Sequence, residues 1–342
     1  MPDDLAAPSV APRANTAHWV GRYASLRPRH EEFTLELVKL IRALLRAQQV
    51  DFHLIESRTK DVQSFTEKIT RASKEYTDPL TQITDLSGIR IIAYYDEDVA
   101  LISQLLESEF DIDWSNSSDK RAALKPEEFG YRSVHYVAKL NVDRTRLREW
   151  QNVANLQAEI QVRTVLQHAW AAISHKLQYK READVPPTLR RRLNRLSALL
   201  ELADEQFLAI RNDTVDLTQV IEEKLATGET DLDVNLLTVE EFVRTSDVVR
   251  WLFAVAEEVG FDSLSNEDPD NLSVLAGLAG HLDLKSITEL RAALSVPDEW
   301  ALEYLRDQFM VDQESWQVDA TFVCILILIG RSPNRVSAEY FV

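Results

Sequence analysis

Glu159, Gln161 and Arg163 alternate with Ala158, Ile160 and Val162 in the segment AEIQVRT. On a strand this split places an acid, an amide and a cation on one face and apolar groups on the other. Such a face suits a metal ion and phosphates, because carboxylate oxygens bind hard cations and guanidinium groups fork onto phosphate oxygens. A second carboxylate, Asp85, stands at the mouth of the run DLSGIRIIAYY, just ahead of Gly88. An aspartate in that setting forms turns as readily as it presents an oxygen to Mg²⁺. Paired with Glu159, it would complete an oxygen-rich site for phosphoryl-type transfer.

A cationic set precedes it: Arg58, Lys60, Ser64 and Lys68. Residues spaced by four stay on one helical face, and Val62, Phe65, Ile69 and Ala72 fall on a separate, core-facing arc. Two lysines, an arginine and a hydroxyl near a helix N-terminus suit a triphosphate, since the helix dipole and the cations act together. The same pattern also describes a solvated basic face. In Phe129–Tyr136, Tyr131, Ser133 and His135 share one strand face, and Arg132, Val134 and Tyr136 the other. A tyrosine beside a histidine and a hydroxyl could stack a purine and touch its phosphates. His168 and His175 lie seven apart on one helix, among apolar and amide neighbours, which favours packing or orienting over metal ligation.

These groups need a scaffold, and periodicity supplies one. The pattern predicts a tail over 1–30 and a helix over about 31–48 with Phe33, Leu37, Leu40, Ile41, Leu44 and Leu45 inward. Strands follow near 52–58, 89–95, 110–114, 131–140 and 158–163, with helices near 61–75 and 97–108 and a polar loop over 115–128. After the last strand, Leu166, Trp170, Ile173 and Leu177 form an apolar helical stripe. Pro186-Pro187 starts a further helix, with Leu189, Leu193, Leu196 and Leu200 on one face and Arg190, Arg191, Arg192 and Arg195 elsewhere. Beyond about residue 180 the pattern is almost wholly helical.

Composition agrees with two domains. The 342 residues are 45% hydrophobic, enough for two separate cores. Residues 1–211 hold 30 Lys+Arg against 30 Asp+Glu, and residues 212–342 hold 8 against 26, so the whole net charge of −18 lies in the last third. That acidic part is unsuited to binding nucleic acid, and Trp251, Phe253, Trp300, Tyr304, Phe309 and Trp316 point to a packed core within it. A single cysteine, Cys324, excludes a disulfide framework and a cysteine-based zinc site. The acidic, proline-containing N-terminus does not read as a signal peptide, and the longest apolar run, 322–329, is too short to span a bilayer. A cytoplasmic protein is expected.

Read together, these residues resemble the synthetase domain of the RelA/SpoT family, which transfers pyrophosphate from ATP to the 3′-hydroxyl of GDP or GTP. The resemblance rests on four motifs in order. They are R-x-K-x3-S-x3-K (Arg58, Lys60, Ser64, Lys68), D-L-x-G-I-R (Asp85–Arg90), G-Y-R-S-x-H (Gly130–His135) and E-I-Q-x-R-T (Glu159–Thr164). A tryptophan-bearing helix ending H-K-x-x-Y-K (His175–Lys180) follows. The resemblance covers about residues 30–211. It implies an α/β fold of the nucleotidyltransferase kind, a mixed sheet flanked by helices. The charge and helical pattern beyond it add an acidic all-helical domain over 216–342, expected in a regulatory or interaction role. The resemblance also implies that Arg58, Lys60, Ser64, Lys68 and Arg90 hold ATP, and that Asp85 and Glu159 bind Mg²⁺. Glu159 would also activate the acceptor hydroxyl, Tyr131 would stack on the acceptor base, and His135, Gln161 and Arg163 would support its phosphates.

Two departures shape the expected activity. Bifunctional family members carry a hydrolase built around a His-Asp dipeptide; no such dipeptide occurs here, so synthesis without hydrolysis is expected. Where family synthetases often have Lys-Pro-Asn immediately before Gly-Tyr, this chain reads Lys125-Pro-Glu-Glu-Phe-Gly130. The altered loop and the arginines at 190–195 admit an alternative: a toxin-like member acting on the 3′ end of tRNA, with the acidic domain as its inhibitor.

Overall fold

The computed structural model describes residues 13–71, 75–119, 133–177, 186–264, 267–311 and 317–336. The chain divides into two compact units, residues 1–210 and 211–342.

The first unit is built on a mixed sheet. In chain order its elements are α1 (Arg13–Ala47), β1 (Leu54–Thr59), α2 (Val62–Ile69), a short α3 (Pro79–Gln82), β2 (Ser87–Ala93) and α4 (Asp96–Glu109). Then come β3 (Phe110–Ile112), β4 (Ser118–Asp119), β5 (Val134–Leu140), a short α5 (Val142–Thr145), β6 (Gln157–Thr164), α6 (Val165–Leu177) and α7 (Pro187–Ala226). The strand order is β1-β2-β6-β5-β3, with β4 also paired to β5. β2 and β6 run parallel, the other pairs antiparallel.

One sheet face is apolar and covered. Ile55, Ile89, Ile91, Tyr136, Ala138, Ala158, Ile160 and Val162 pack against Phe33, Leu37, Ile41 and Leu45 of α1 and Val99, Ile102 and Leu106 of α4. Burying these branched and aliphatic groups is the main force holding the layers together, at roughly 25 cal/mol per Å² of apolar surface. The other face carries the polar residues. The alternation read for residues 158–162 is therefore realised: Ala158, Ile160 and Val162 are fully buried, while Glu159 and Gln161 are half-buried.

Three local expectations are corrected. The first helix begins at Arg13, well ahead of residue 31, and continues through Pro28. Its early part is a working wall: Tyr23 is fully buried with Phe65, Ile83 and Leu86 in a satellite core beside α2. On α6, Ile173 is 53% exposed, and the buried positions are instead Gln167 and Ser174. Thr164 and Gln167 exchange reciprocal bonds at the start of that helix, Thr164 N–H to Gln167 Oε1 and Gln167 N–H to Thr164 Oγ1, each at 3.1 Å. This capping-box arrangement, not an apolar stripe, fixes the helix entry. On α7, Leu189 and Leu196 are exposed, and the inward line runs through Ser197 and Asp204. Thr164 Oγ1 donates to Asp204 at 2.9 Å, which explains why a carboxylate turns inward there.

The second unit is helical, with α8 (Leu236–Thr245), α9 (Asp247–Val259), α10 (Pro269–His281), α11 (Ile287–Leu294), α12 (Asp298–Val311) and α13 (Ala320–Arg331). The first residues of this unit continue α7 to Ala226. Two-residue strands, β7 (Asp262–Ser263) and β8 (Gln317–Val318), pair in parallel. Leu252, Leu275, Leu278, Leu290, Leu294, Leu305 and Ile327 form its centre, with Trp251, Phe253, Trp300, Tyr304 and Phe309 packed around it. Trp316 lies outside the described residues. Among the described residues, no helix is long and apolar enough to cross a membrane.

Candidate active site

Strand register brings the chemistry together. Arg58, Gly88 and Glu159 are successive partners across β1, β2 and β6, and the next row is Glu56, Arg90, Gln161 and His135. Because these residues share one pleat face, their side chains rise from the same side of the sheet. They floor a cavity of about 350 Å³ lined by Glu56, Ser57, Arg58, Asp85, Gly88, Ile89, Arg90, Glu159 and Gln161. Glycine at 88 keeps the centre of that floor low.

Asp85 stands at the edge of the cavity, in the segment that leads into β2. Its Oδ2 lies 2.7 Å from Lys60 Nζ and its Oδ1 2.8 Å from Lys68 Nζ. Lys60 precedes the Asp61 N-cap of α2, and Lys68 occupies the last turn, so the two lysines converge from opposite ends of one short helix. Burial of Asp85 would raise its carboxyl pKa, but the hydrogen bonds and charges of Lys60 and Lys68 outweigh it and hold the group below its ordinary value.

Glu159 is held more loosely. Gln161 Nε2 donates to its Oε1 at 2.8 Å, and His135 Nδ1 lies 3.6 Å from the same oxygen. Arg90 Nη1 pairs with Glu56 Oε2 at 2.7 Å, and its Nε reaches Gln161 Oε1 at 3.5 Å. A polar chain thus crosses the sheet from Glu56 through Arg90 and Gln161 to Glu159. Among the described residues around the cavity, Arg58, Lys60, Lys68 and Arg90 face Glu56, Asp85 and Glu159, one more cation than carboxylates. An anion is the natural guest of such a balance.

Of the residues singled out from the sequence, Arg58, Asp85, Arg90, Glu159 and Gln161 line the cavity, and Lys60, Lys68 and His135 join it through the two carboxylates. Ser64 has another partner: its Oγ donates to Asp61 Oδ2 at 2.9 Å and its N–H to Asp61 Oδ1 at 2.7 Å. The α2 N-terminus expected to face a triphosphate is thus capped by the chain's own carboxylate. Those bonds hold the Asp61 carboxyl below its ordinary pKa. Arg163 is only 4% exposed, and its Nη2 lies 3.2 Å from His168 Nδ1. Burial, then the Arg163 charge, keeps His168 below its usual pKa. Tyr131 lies outside the described residues, as does the loop 125–129.

Sequence reasoning missed Glu56 and Asp61. Glu56 stands two before Arg58 on β1, so period-2 spacing alone places it on the same face. Asp61, just before an apolar-periodic run, is an N-cap in form.

Among the described residues, no group of three or more His, Cys, Asp and Glu clusters as a metal cage. Mg²⁺ does not need one, since it keeps several waters and commonly takes one or two protein carboxylates plus substrate phosphates. Asp85 and Glu159 both line the cavity and are hard oxygen donors of the kind required, with both Asp85 oxygens paired to Lys60 and Lys68 in this structure.

Comparison with known proteins shows the family. Residues 57–184 match the family described as a region found in RelA / SpoT proteins. GTP pyrophosphokinase YwaC of Bacillus subtilis is 31% identical over 160 residues, covering 46% of this chain and 73% of that protein. GTP pyrophosphokinase YjbM of the same organism is 32% identical over 165 residues, covering 46% and 72%. The crystal structure of small alarmone synthetase 1 from Bacillus subtilis is 27% identical, spans 58% of this chain and 99% of its own, and superposes with a TM-score of 0.44. The motifs of the cavity wall lie inside the matched region, and the chain belongs to the RelA/SpoT family.

Proposed function

We propose that this protein is a Mg²⁺-dependent pyrophosphotransferase that moves the β,γ-diphosphoryl group of ATP to the 3′-hydroxyl of GDP or GTP. The observation that carries the reading is that Asp85 and Glu159 line the same cavity as Arg58 and Arg90. The two relatives named as GTP pyrophosphokinases support the acceptor class.

In this reading Arg58, Lys60, Lys68 and Arg90 hold the donor phosphates and offset their charge. Ser64 joins them by exchanging its Asp61 partner. Glu159 accepts the proton of the acceptor 3′-hydroxyl as that oxygen bonds to the β-phosphorus. The bond from the β-phosphorus to the bridging oxygen breaks, and AMP leaves with that oxygen and its electron pair. His135 and Gln161 hold the Glu159 carboxylate toward the acceptor, with Tyr131 proposed to stack on the base. Arg163, from its buried position, supports the acceptor side through the strand end and His168. Asp85 and Glu159 would hold the metal, which supplies charge neutralisation on the phosphates. Positioning and electrostatics of this kind account for most of the catalysis of phosphoryl-type transfer. With no His-Asp dipeptide in the sequence, we propose no hydrolase activity. The acidic unit is proposed as a regulatory or interaction domain, and the protein as cytoplasmic.

Incubating the purified protein with ATP, Mg²⁺ and GDP or GTP, then weighing the products by mass spectrometry, tests this. AMP and a guanosine nucleotide heavier by one diphosphoryl group are expected. A second arm offers tRNA with γ-labelled ATP, because Arg190, Arg191, Arg192 and Arg195 are all exposed on α7. Label on tRNA without any guanosine product would replace the first reading with the tRNA one.

A further inference from the structure

The polar contacts of α1 point at the candidate site. Tyr23 is fully buried, and its hydroxyl donates to the Lys60 carbonyl at 2.5 Å. One turn later, Arg27 Nε donates to the same carbonyl at 3.3 Å while its Nη1 pairs with Glu31 at 2.7 Å. The Lys60 N–H is also committed, to Leu86 O at 2.9 Å. The Lys60 backbone is thereby fixed on both sides while its ammonium reaches Asp85. The Tyr23 ring stacks on Phe65 of α2, with centroids 4.4 Å apart, and Phe65 lies between the two lysines in sequence. Farther along α1, His30 Nδ1 lies 3.1 Å from Ser87 Oγ, and Ser87 follows Asp85 by two residues.

A helix needed only as a wall would meet the sheet through apolar contacts, as Phe33, Leu37, Ile41 and Leu45 do farther along. Here buried polar groups are spent on the two segments that carry Lys60 and Asp85. A buried hydrogen bond adds little net stability but fixes geometry, because leaving either partner unsatisfied is costly.

We propose that Tyr23, together with Arg27, is a positioning residue that fixes the Lys60 backbone so that the Lys60 ammonium is presented at the donor-phosphate side of the cavity. Both residues precede the region, 57–184, that matches the family. The inference rests on the assignment of Lys60 to the donor phosphates.

Full-length Tyr23→Phe removes the hydroxyl and keeps the ring on Phe65. Two measurements test it. In the absence of nucleotide, lysine acylation followed by peptide mass spectrometry should show Lys60 reacting about fivefold faster than in the wild type, the ratio one ordinary hydrogen bond supports. The exposed Lys39 should be unchanged. In steady state the KM for ATP should rise by about the same factor, with the KM for GDP within about twofold. Phe33→Leu, a core change on the same helix, serves as the control for loss of stability alone. Unchanged Lys60 labelling in Tyr23→Phe, or equal labelling in the control at matched Tm, overturns the proposal. Faster labelling with an unmoved ATP KM also overturns it, because the anchor then has no bearing on the donor. A wild type that yields no product refutes the proposed function, while the labelling arm still judges the anchor by itself.

Discussion

Lys60 and Asp85 form an ion pair 2.7 Å long in which the lysine side chain is 8% exposed and the aspartate 20%. A second lysine, Lys68, meets the other carboxylate oxygen. Removing the carboxylate would leave a desolvated ammonium without its counter-charge, so Asp85→Asn should destabilise the first unit by about 2–4 kcal/mol, toward the lower side of what a broken buried pair costs. Denaturant unfolding measures this, and a loss below about 1 kcal/mol would show that Lys60 finds another partner. The substitution also carries a pH signature. Because the folded carboxyl titrates below its ordinary 3.8, its contribution is present above that pH and lost as pH falls below it. Asp85→Asn should flatten stability against pH in that acid window.

Glu159→Gln keeps the shape of the side chain and removes its basicity. With Gln161 and His135 as its neighbours, the change should leave Tm within a few degrees. Its kcat for guanosine nucleotide pyrophosphorylation should fall by at least the 10²–10⁴-fold that a general base supplies. Retention of more than about a tenth of the wild-type kcat would remove Glu159 from the proton transfer.

Asp61 caps α2 through Oδ1, which accepts from the Ser64 N–H, while its Oδ2 accepts from the Ser64 hydroxyl. Asp61→Ala should lower the Tm measurably, and Asp61→Asn markedly less, since the amide oxygen can still accept from the Ser64 N–H. Equal losses in the two variants, measured by thermal unfolding, would show that charge and not capping is the main contribution.

His30 is 5% exposed, and burial, reinforced by the Arg29 charge, pushes its pKa down to about 4. The folded state therefore resists a proton that the unfolded chain takes up near 6.5. Stability should be full above pH 6.5 and fall as pH drops from 6.5 toward 4, by on the order of 3 kcal/mol in total. His30→Gln should remove that slope, measured as unfolding free energy at pH 7, 5.5 and 4.5. An unaltered slope would assign the acid sensitivity to other groups.

The sheet and most of its polar face were legible because period-2 patterning reports burial directly. Ile160 and Val162 differ from Glu159 and Gln161 in the way that alternation requires. The pattern fails at Arg163, where the strand runs out beneath α6 and both faces become covered. It fails again at Ile173 and Leu196, since those helices bury hydrogen-bonding residues in place of the apolar stripes. Residues 13–30 read as a tail because arginines, a proline and a histidine dilute the helical signal. Tyr23, Arg27 and His30 are held by groups remote in sequence, which no local pattern reveals. The Lys60–Asp85–Lys68 cluster escaped for the same reason: spacing placed the lysines near each other and said nothing of the carboxylate between them.

The parallel pairing of β2 with β6 sets a timing for activity. Gly88 and Glu159 are register partners although β5 and its neighbouring segments intervene in sequence. β5 and β6 can pair across a shorter connection, whereas the parallel contact closes a much longer loop and forms at greater entropic cost. Glu159 joins the β2 side of the cavity only when that contact is made. A chain emerging from synthesis therefore stays inert until its longest-range strand pair has closed, so catalytic competence would report completed folding of the first unit.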